Sequence, residues 1–167
     1  MFKVSKGFEK VPKEEWLASW EEGMCDYKDI KLPVRKTKGS AGYDFYSTRD
    51  FVLNPGESVV VKTGVCCPIE EGWFLGVFPK SGLGFKYRLQ LANTVGIIDS
   101  DYYGCESNAG HILIKITNDS KDGRVIDIKL GMSIAQGIFL PYGITMDDTA
   151  EVDSEIRKGG YGSTGKY

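Results

Sequence analysis

Two carboxylates follow an apolar segment near the middle of the chain and could supply a general base. Asp99 and Asp101 come directly after Gly96-Ile97-Ile98, and two tyrosines and Gly104 follow them. Because β-branched residues favour extended backbone while Asp, Ser and Gly favour turns, the stretch Asn93–Gly104 predicts a β-hairpin with acids and aromatics near its tip. A carboxylate fixed by a buried strand is in position before substrate arrives, as a general base requires. The alternative is a surface turn whose aspartates only cap backbone N–H groups.

The glycine-rich stretch Pro79-Lys80-Ser81-Gly82-Leu83-Gly84 is a candidate anion site that follows a strongly apolar strand. Ser81 can cap a following helical turn, and Gly82 permits close backbone approach. Free N–H groups of that turn, with Lys80 beside them, would face a bound anion. An ordinary Ser-Gly turn has the same residue types, so this motif alone does not distinguish a site from a turn.

Two polar residues beside strands are candidate ligand contacts. Asp44, at the end of Ser40-Ala41-Gly42-Tyr43-Asp44, is either a buried aspartate with structural hydrogen bonds or an outer-sphere contact to the waters of a metal ion. Gln136 ends the stretch Gly131-Met132-Ser133-Ile134-Ala135-Gln136 and either contacts a ligand or bonds to neighbouring backbone. The residue types alone leave both alternatives open.

The C-terminal segment combines a cation and an aromatic ring with glycines. Arg157 precedes Gly159-Gly160-Tyr161-Gly162, and Ser163-Thr164 follows. A flexible linker would not need the arginine and the tyrosine, whereas an arm that closes over an anionic aromatic ligand would. Glycine N–H groups can approach phosphates, a tyrosine can stack on a ring, and an arginine offers a charged fork. We expect this segment to be mobile in isolation because it has little to bury.

Composition argues against several classes of function. The chain has 167 residues, which suits one domain, and a net charge of -2, so no global basic field attracts nucleic acid. The four cysteines form no C-x-x-C pair and His111 is the only histidine, which argues against a zinc site. No signal peptide is visible, and no apolar run reaches the roughly 18 residues of a membrane span. We therefore expect a reduced, cytoplasmic protein with no nucleic-acid or membrane partner.

The pattern of apolar residues and turn signals indicates a β protein with one helix. The stretch Pro12–Glu22 predicts a helix that docks on the core through Trp16, Leu17 and Trp20. Many short extended runs separated by turn residues then indicate an all-β barrel or sandwich. The predicted strands are Tyr43–Tyr46, Ser58–Val65, Trp73–Phe78, Leu89–Val95, Ile112–Thr117, Val125–Leu130 and Ile134–Phe139.

Taken together, five motifs resemble the trimeric dUTPase family, the deoxyuridine 5′-triphosphate nucleotidohydrolases. They occur in the family's order and cover the chain from about Ile30 to its end. The motifs are Ala41-Gly42-Tyr43-Asp44, Pro79-Lys80-Ser81-Gly82-Leu83, Gly96-Ile97-Ile98-Asp99-Ser100-Asp101-Tyr102, Gly131-Met132-Ser133-Ile134-Ala135-Gln136 and Gly159-Gly160-Tyr161-Gly162-Ser163-Thr164-Gly165. The N-terminal helix and an insertion near Cys105 are similar to versions carried by some bacteria and their phages.

The resemblance implies an all-β fold, a dUTPase-like β-clip or distorted barrel of short strands, with one N-terminal helix and a flexible Gly-rich C-terminal arm. Residues 1–167 would form a single domain made of an N-terminal helical extension (1–29), a β core (30–156) and a mobile arm (157–167). The family's sites lie between the subunits of a homotrimer, so we expect shared active sites.

By similarity, such an enzyme hydrolyses dUTP to dUMP and pyrophosphate with Mg²⁺, and Asp99 activates the water that attacks the α-phosphorus. Tyr102 would pack under the deoxyribose and leave no room for a 2′-hydroxyl, and Asp44 would reach Mg²⁺ through water. The other implied substrate contacts are Asn93, Ile97 and Ile98 around uracil, Lys80, Ser81, Gly82 and Gln136 at the phosphates, and Arg157, Tyr161, Gly162 and Ser163 in the arm.

The chain departs from the family's pattern at several positions. Lys80 stands where the family usually has Arg, which keeps the charge but loses the bidentate fork. Tyr161 replaces the usual Phe, and only Lys158 separates Arg157 from the glycines, one residue fewer than usual. The loop Cys105–Gly110 is an addition directly after the catalytic motif.

Two rival functions remain open. A deoxycytidine triphosphate deaminase shares the fold, but that family places a catalytic Glu three residues before an Asn, and here Lys115 precedes Asn118 at that spacing. The second rival is a nucleotide-binding trimer that signals to a regulatory protein partner. The intact Asp99 and the complete tail favour catalysis.

Overall fold

The computed structural model describes residues 2–147, and the predicted C-terminal arm lies outside this range. The described chain consists of short antiparallel strands, two α-helices and two 3₁₀-helices at Tyr27–Asp29 and Ser100–Tyr102. The helices are α1 (Lys13–Ser19) and α2 (Ser81–Tyr87). The strands are β1 (Glu9–Lys10), β2 (Tyr43–Tyr46), β3 (Phe51–Leu53), β4 (Ser58–Lys62), β5 (Val65–Cys66), β6 (Trp73–Pro79), β7 (Leu89–Leu91), β8 (Gly96–Ile98), β9 (Leu113–Asn118), β10 (Ile126–Ile128) and β11 (Ser133–Pro141).

A four-stranded sheet of order β2-β11-β6-β8 places most of the predicted site residues. Its longest strand, β11, pairs with β2 on one side and with β6 on the other. Gln136 therefore lies opposite Asp44 in β2 and opposite Phe78 in β6. Three motifs that are far apart in the sequence meet in one row of this sheet.

A second sheet, of order β4-β9-β7, closes the other side of the core, and β3-β10 and β1-β5 form two smaller pairs. In β9 the side chains of Ile114, Ile116 and Asn118 are buried, while Lys115 between them is exposed. This alternation is the period of two that an antiparallel strand imposes. The all-β architecture is confirmed, and within residues 2–147 the sheets form no closed barrel.

The N-terminal helix is shorter than the sequence predicted. It ends at Ser19, because Trp20 has an extended backbone with ψ of 140°. Trp16 is fully buried, but Leu17 is 60% exposed and Trp20 is 45% exposed. The prediction that all three dock on the core is therefore wrong for Leu17 and Trp20, since a seven-residue helix buries only a narrow stripe.

The second helix, α2, is longer than the helical turn that the sequence suggested after Lys80. Its residues Ser81-Gly82-Leu83-Gly84-Phe85-Lys86-Tyr87 include two glycines and two aromatic residues, all of low helix propensity. Leu83 and Tyr87 lie one turn apart and pack against the core. Tertiary packing of this pair therefore overrides the local propensity. Neither helix within residues 2–147 is long and apolar enough to span a membrane.

The predicted hairpin around Asp99 is also wrong as a local structure. The predicted strand Leu89–Val95 is broken after Leu91, where β7 ends. The strand that leads into Asp99, β8, pairs with β6, whereas the next strand after the acids, β9, pairs with β4 and β7 in the other sheet. The two arms of the expected hairpin thus belong to different sheets, a long-range choice that local turn propensity cannot reveal.

Candidate active site

The Tyr102 cavity, of about 430 Å³, lies between β8 and the start of β9. Four of the residues predicted to bind substrate line it, namely Asn93, Ile97, Ile98 and Tyr102. Its remaining walls are Val77, Leu91, Ala92, Val95, Gly96, Leu113, Ile114 and Lys115. Most of these side chains are apolar, so the cavity suits a flat, neutral group whose polar edge meets a few hydrogen-bonding partners.

A tight turn positions Asn93 at the mouth of the Tyr102 cavity. The N–H of Val95 donates to the carbonyl of Asn93 at 2.7 Å, and the N–H of Thr94 donates to the carbonyl of Leu91 at 3.0 Å. Thr94 has φ of 67°, a left-handed conformation that is uncommon for a β-branched residue. Such strain persists where the surrounding structure enforces it, often beside a binding site.

Asp99 stands beside the Tyr102 cavity at the end of β8. It precedes the 3₁₀-helix Ser100–Tyr102, and its carbonyl accepts a hydrogen bond from the N–H of Tyr102 at 3.2 Å. Its side chain is half-buried, and its neighbour Ile98 and the nearby Tyr102 both line the cavity. A strand on one side and a helical turn on the other thus fix the backbone of Asp99 next to the cavity, although Asp99 is not among the residues that line it.

His111 connects the N-terminal extension to the region behind the Tyr102 cavity. In the sequence, His111 entered only the argument against a zinc site. The His111 ring is 1% exposed, its Nε2 accepts the N–H of Gly64 at 2.8 Å, and its Nδ1 lies 3.2 Å from Oε1 of Glu15 in α1. Because Nε2 accepts a hydrogen bond, the neutral ring carries its proton on Nδ1 and donates to Glu15. Burial lowers the pKa of His111, and the Glu15 carboxylate partly opposes this shift.

Asp44, Lys80 and Gln136 form a second group, the Lys80 cluster. Lys80 Nζ lies 2.6 Å from Oδ1 of Asp44, whose side chain is 6% exposed, and Gln136 Nε2 donates to the carbonyl of Pro79 at 3.1 Å. A Cβ on Gly42 would come within 2.5 Å of Gln136 Oε1, so a side chain at this position would displace the Gln136 amide. For both Asp44 and Gln136 the structure shows the structural alternative: Asp44 pairs with Lys80, and Gln136 donates a hydrogen bond to the carbonyl of Pro79.

The phosphate residues predicted on α2 lie next to the Lys80 cluster on the surface. Ser81 is the first residue of α2 and Lys80 is its N-cap, with no side-chain capping hydrogen bond, so the prediction that Ser81 caps the helix is wrong. Ser81 and Gly82 are both exposed. No described atom lies within 4 Å of a Cβ built on Gly82, so packing inside residues 2–147 does not require glycine there.

Asp99 and Lys80 lie at the levels of opposite ends of β6, although the Tyr102 cavity itself extends along the strand to Val77. Ile98 pairs with Leu75, so Asp99 continues to the level of Phe74, whereas Lys80 follows the far end of the strand at Pro79. Six residues of extended chain separate these levels, about 20 Å at the usual rise per residue. None of the Lys80 cluster residues lines the Tyr102 cavity.

The remaining residues named from the sequence are the four of the C-terminal arm and Lys115. Arg157, Tyr161, Gly162 and Ser163 lie outside the described residues. Lys115 lines the Tyr102 cavity, although the sequence suggested only that it argues against deamination. The outward position of Lys115 in the alternation of β9 could have revealed its exposure, but not the cavity that it faces.

The buried cysteines are poor nucleophiles. Burial raises the pKa of Cys66 to about 12 and that of Cys67 to about 11, so both remain thiols at neutral pH.

Among the residues that the structure describes, no group of three His, Cys, Asp or Glu side chains could hold a metal ion.

Comparisons with known proteins agree with this geometry. The dUTPase family model matches residues 28–165. The Lactococcus lactis deoxyuridine 5′-triphosphate nucleotidohydrolase is 35% identical over 86% of this chain and 95% of its own length. The corresponding protein of Nautilia profundicola is 37% identical over 83% of this chain and 94% of its own length.

Solved structures show the same likeness. The crystal structure of a dUTPase from Streptococcus mutans aligns with a TM-score of 0.66 at 30% identity, over 84% of this chain and 98% of that chain. A dUTPase from phage phi11 of S. aureus, whose structure shows the coordination of a structural Mg(II) ion, aligns with a TM-score of 0.57 at 26% identity, over 70% of this chain and 86% of that chain.

Proposed function

Because the chain belongs to the dUTPase family and hydrolyses dUTP to dUMP and pyrophosphate, we propose that the Tyr102 cavity binds deoxyuridine while the Lys80 cluster of a second copy binds the phosphates. The separation of Asp99 from Lys80 along β6 is the observation that carries this proposal. Asp99 and Lys80 of one chain are about 20 Å apart along this sheet, too far for both to contact the same triphosphate group. A homotrimer, the usual assembly of the family, brings the two parts together across subunits.

In the Tyr102 cavity, apolar walls bind the base and sugar and a few polar groups orient them. Asn93 and the backbone of Ile97 and Ile98 form hydrogen bonds to the uracil edge. Tyr102 packs under the deoxyribose, where its buried ring leaves no space for a 2′-hydroxyl. Because a small rigid pocket discriminates by exclusion, this arrangement rejects ribonucleotides and the methyl group of thymine.

Asp99 is the general base in this proposal. Its carboxylate takes a proton from the water that attacks the α-phosphorus, and pyrophosphate leaves from the opposite side. Its backbone is held by β8 and by the 3₁₀-helix Ser100–Tyr102, so little reorganisation accompanies proton transfer. Most of the remaining rate enhancement comes from placing positive charge and N–H donors around the phosphate oxygens.

At the Lys80 cluster, Lys80 and Gln136 bind phosphate oxygens, and the exposed first turn of α2 offers the N–H groups of Ser81 and Gly82. The open space at Gly82 supports this role, because a phosphate can approach the backbone there without meeting a side chain. From the segment outside the described residues, Arg157, Tyr161, Gly162 and Ser163 would add a phosphate contact and a ring that stacks on uracil.

A magnesium ion fits the donor set of the Lys80 cluster. Mg²⁺ binds through one or two carboxylates, several waters and substrate phosphates, and does not need a protein cage. Asp44, buried beside Lys80, is the carboxylate that would hold it through water. When bound, the ion would neutralise the charge of the phosphates.

The test of shared sites is complementation between two inactive chains. Asp99→Asn lacks the base, and Lys80→Met lacks the phosphate cation, so each trimer alone should lose about 10- to 100-fold or more of its activity. After verified subunit exchange, some mixed sites combine an intact Asp99 from one chain with an intact Lys80 from the other, and activity should return.

The matched control mixes Asp99→Asn with a chain that carries both substitutions, in which no site can be complete. A mixture of the single variants that stays as inactive as this control would contradict sharing. Recovery in the mixture together with a monomer in light scattering would contradict the trimer. The deaminase alternative is not favoured by the comparisons, and a regulatory protein partner stays a prediction of the sequence.

A further inference from the structure

The inserted loop Cys105–Gly110 lies against the hydroxyl end of Tyr102. Asn108 Nδ2 donates to Tyr102 Oη at 2.8 Å and to the carbonyl of His111 at 3.3 Å. Tyr102 Oη in turn donates to that same carbonyl at 2.9 Å. The three groups form a closed triangle of hydrogen bonds behind the buried ring of Tyr102.

The other side of the Asn108 amide is also held. Its Oδ1 accepts the N–H of Gly110 at 3.2 Å and the thiol of Cys105 at 3.1 Å. Since an N–H must face the oxygen, these contacts orient the amide so that its NH₂ group faces Tyr102. Asn108 therefore cannot turn away from the tyrosine without losing hydrogen bonds at both ends.

The backbone of the loop is pressed onto the segment that carries Tyr102. Gly110 has φ of +79°, and a Cβ there would come within 2.7 Å of the Tyr102 carbonyl and 2.9 Å of Tyr103 Cα. Ala109 has φ of 55°, a conformation that non-glycine residues rarely adopt. Asn108 itself does not line the Tyr102 cavity, so any influence on a ligand passes through the tyrosine.

We propose that Asn108 is a positioning residue that fixes the ring of Tyr102 and thereby sets the discrimination between deoxyribose and ribose. This inference rests on the proposed role of Tyr102 in sugar selection. A ring held only by packing could shift by a few tenths of an ångström and admit a 2′-hydroxyl. The hydrogen bond from Asn108 removes that freedom by tying the far end of the ring to the loop.

The experiment compares kcat/KM for UTP and dUTP in Asn108→Ala and Asn108→Asp. We expect the UTP/dUTP ratio to rise by about five-fold in each, the effect of losing one neutral hydrogen bond. Asn108→Asp keeps the size of the side chain but places an oxygen opposite the His111 carbonyl. Glu106→Ala, an exposed change in the same loop, should leave the ratio unchanged.

Two comparisons separate positioning from a general loss of stability. Ile128→Val shortens a fully buried side chain in β10 and should lower the melting temperature without changing the ratio. Tyr102→Phe removes the hydroxyl, so adding Asn108→Ala to it should raise the ratio no further.

An unchanged ratio in both Asn108 variants, or an equal loss for both nucleotides, would overturn the proposal, as would full additivity with Tyr102→Phe. If Asn108→Ala does not fold, the UTP/dUTP ratios of Asn108→Asp, with and without Tyr102→Phe, test the proposal instead. An unsubstituted chain that hydrolyses UTP and dUTP equally well would instead refute the sugar selection assigned to Tyr102.

Discussion

The Tyr102 cavity and the Lys80 cluster differ in polarity, in charge and in the exposure of their backbone. The cavity is apolar and its strained turn and buried tyrosine are held by neutral hydrogen bonds. The cluster is built on an ion pair between buried Asp44 and partly exposed Lys80, next to an exposed, glycine-containing helical turn. The Tyr102 cavity has its shape before a ligand binds, whereas the Lys80 cluster presents a charged side chain and exposed backbone.

This difference matches the two halves of a nucleoside triphosphate. A neutral base and sugar are selected by shape, because small apolar cavities reject ligands that are slightly too large. A triphosphate is selected by charge and N–H donors, which act only when they surround the phosphate oxygens. Within one chain Asp99 and Lys80 are separated along β6, so the site that we propose takes these two residues from different subunits.

The largest expected effect is that of changing Asp99, the proposed general base beside the Tyr102 cavity. Asp99→Asn should reduce kcat by about 100-fold or more, the usual loss for a general base. Because the amide is nearly isosteric, melting temperature and dUTP binding should change little. Steady-state kinetics and calorimetric binding check both, and near-full turnover would show that Asp99 is not the base.

Lys80→Met should affect the charged half alone. We expect kcat/KM for dUTP to fall by about 10- to 100-fold, as for loss of a charged hydrogen bond. Binding of deoxyuridine, which has no phosphate, should stay the same. Lys80→Arg is the matched control because it preserves the charge beside Asp44. Equal weakening of deoxyuridine and dUTP would remove the distinction between the two regions.

Tyr102→Ala should affect the neutral half alone. Removing the ring opens space beneath the sugar, so the UTP/dUTP ratio of kcat/KM should rise by about ten-fold. Competition assays with both nucleotides measure this ratio, with a melting curve to confirm folding. A ratio equal to that of the unsubstituted chain would place sugar selection elsewhere.

Gly82→Ala should raise the stability of the fold while it lowers the activity. Alanine in place of glycine in α2 should stabilise the fold by about 0.5 kcal/mol, since nothing described would contact the new methyl group. Phosphate approach to the backbone would be hindered, and we expect about a five-fold loss of kcat/KM. Gly84→Ala, two residues along the same helix, should stabilise without this loss. Equal activity in both variants would argue against a phosphate at Gly82.

The smallest expected effect concerns the support behind the cavity. Burial lowers the pKa of His111 in the folded chain below the ordinary value of 6.5, so the unfolded chain binds its proton more readily. The stabilising contribution of neutral His111 is fully present above pH 6.5 and is lost as pH falls towards its folded pKa. Urea midpoints at fixed protein concentration, from about pH 8 to about pH 5, measure this loss. His111→Gln should flatten the slope, and an unchanged slope would show that His111 does not cause it.

Several features of this protein follow from the sequence alone because they depend on local chemistry. The alternation of Ile114, Lys115 and Ile116 predicts a strand with one buried face, and β9 has that pattern. The strand Tyr43–Tyr46 is predicted with the bounds that the structure shows. The motifs that resemble dUTPases identify the family because their residue types and order are specific, whatever surrounds them.

The arrangement of those motifs was decided by tertiary structure. The pairing of β8 with β6 instead of with its neighbour in sequence separates Asp99 from Lys80, and no local propensity specifies that partner. Helix α2 forms because Leu83 and Tyr87 find a core to pack on, against the preference of its glycines. The contact between Asn108 and Tyr102 depends on a loop folding back onto the strand end, which becomes visible only when distances are known. Local propensities act over a few residues, whereas sheet register and packing join residues that are distant along the chain, and here that long-range order assembles the site.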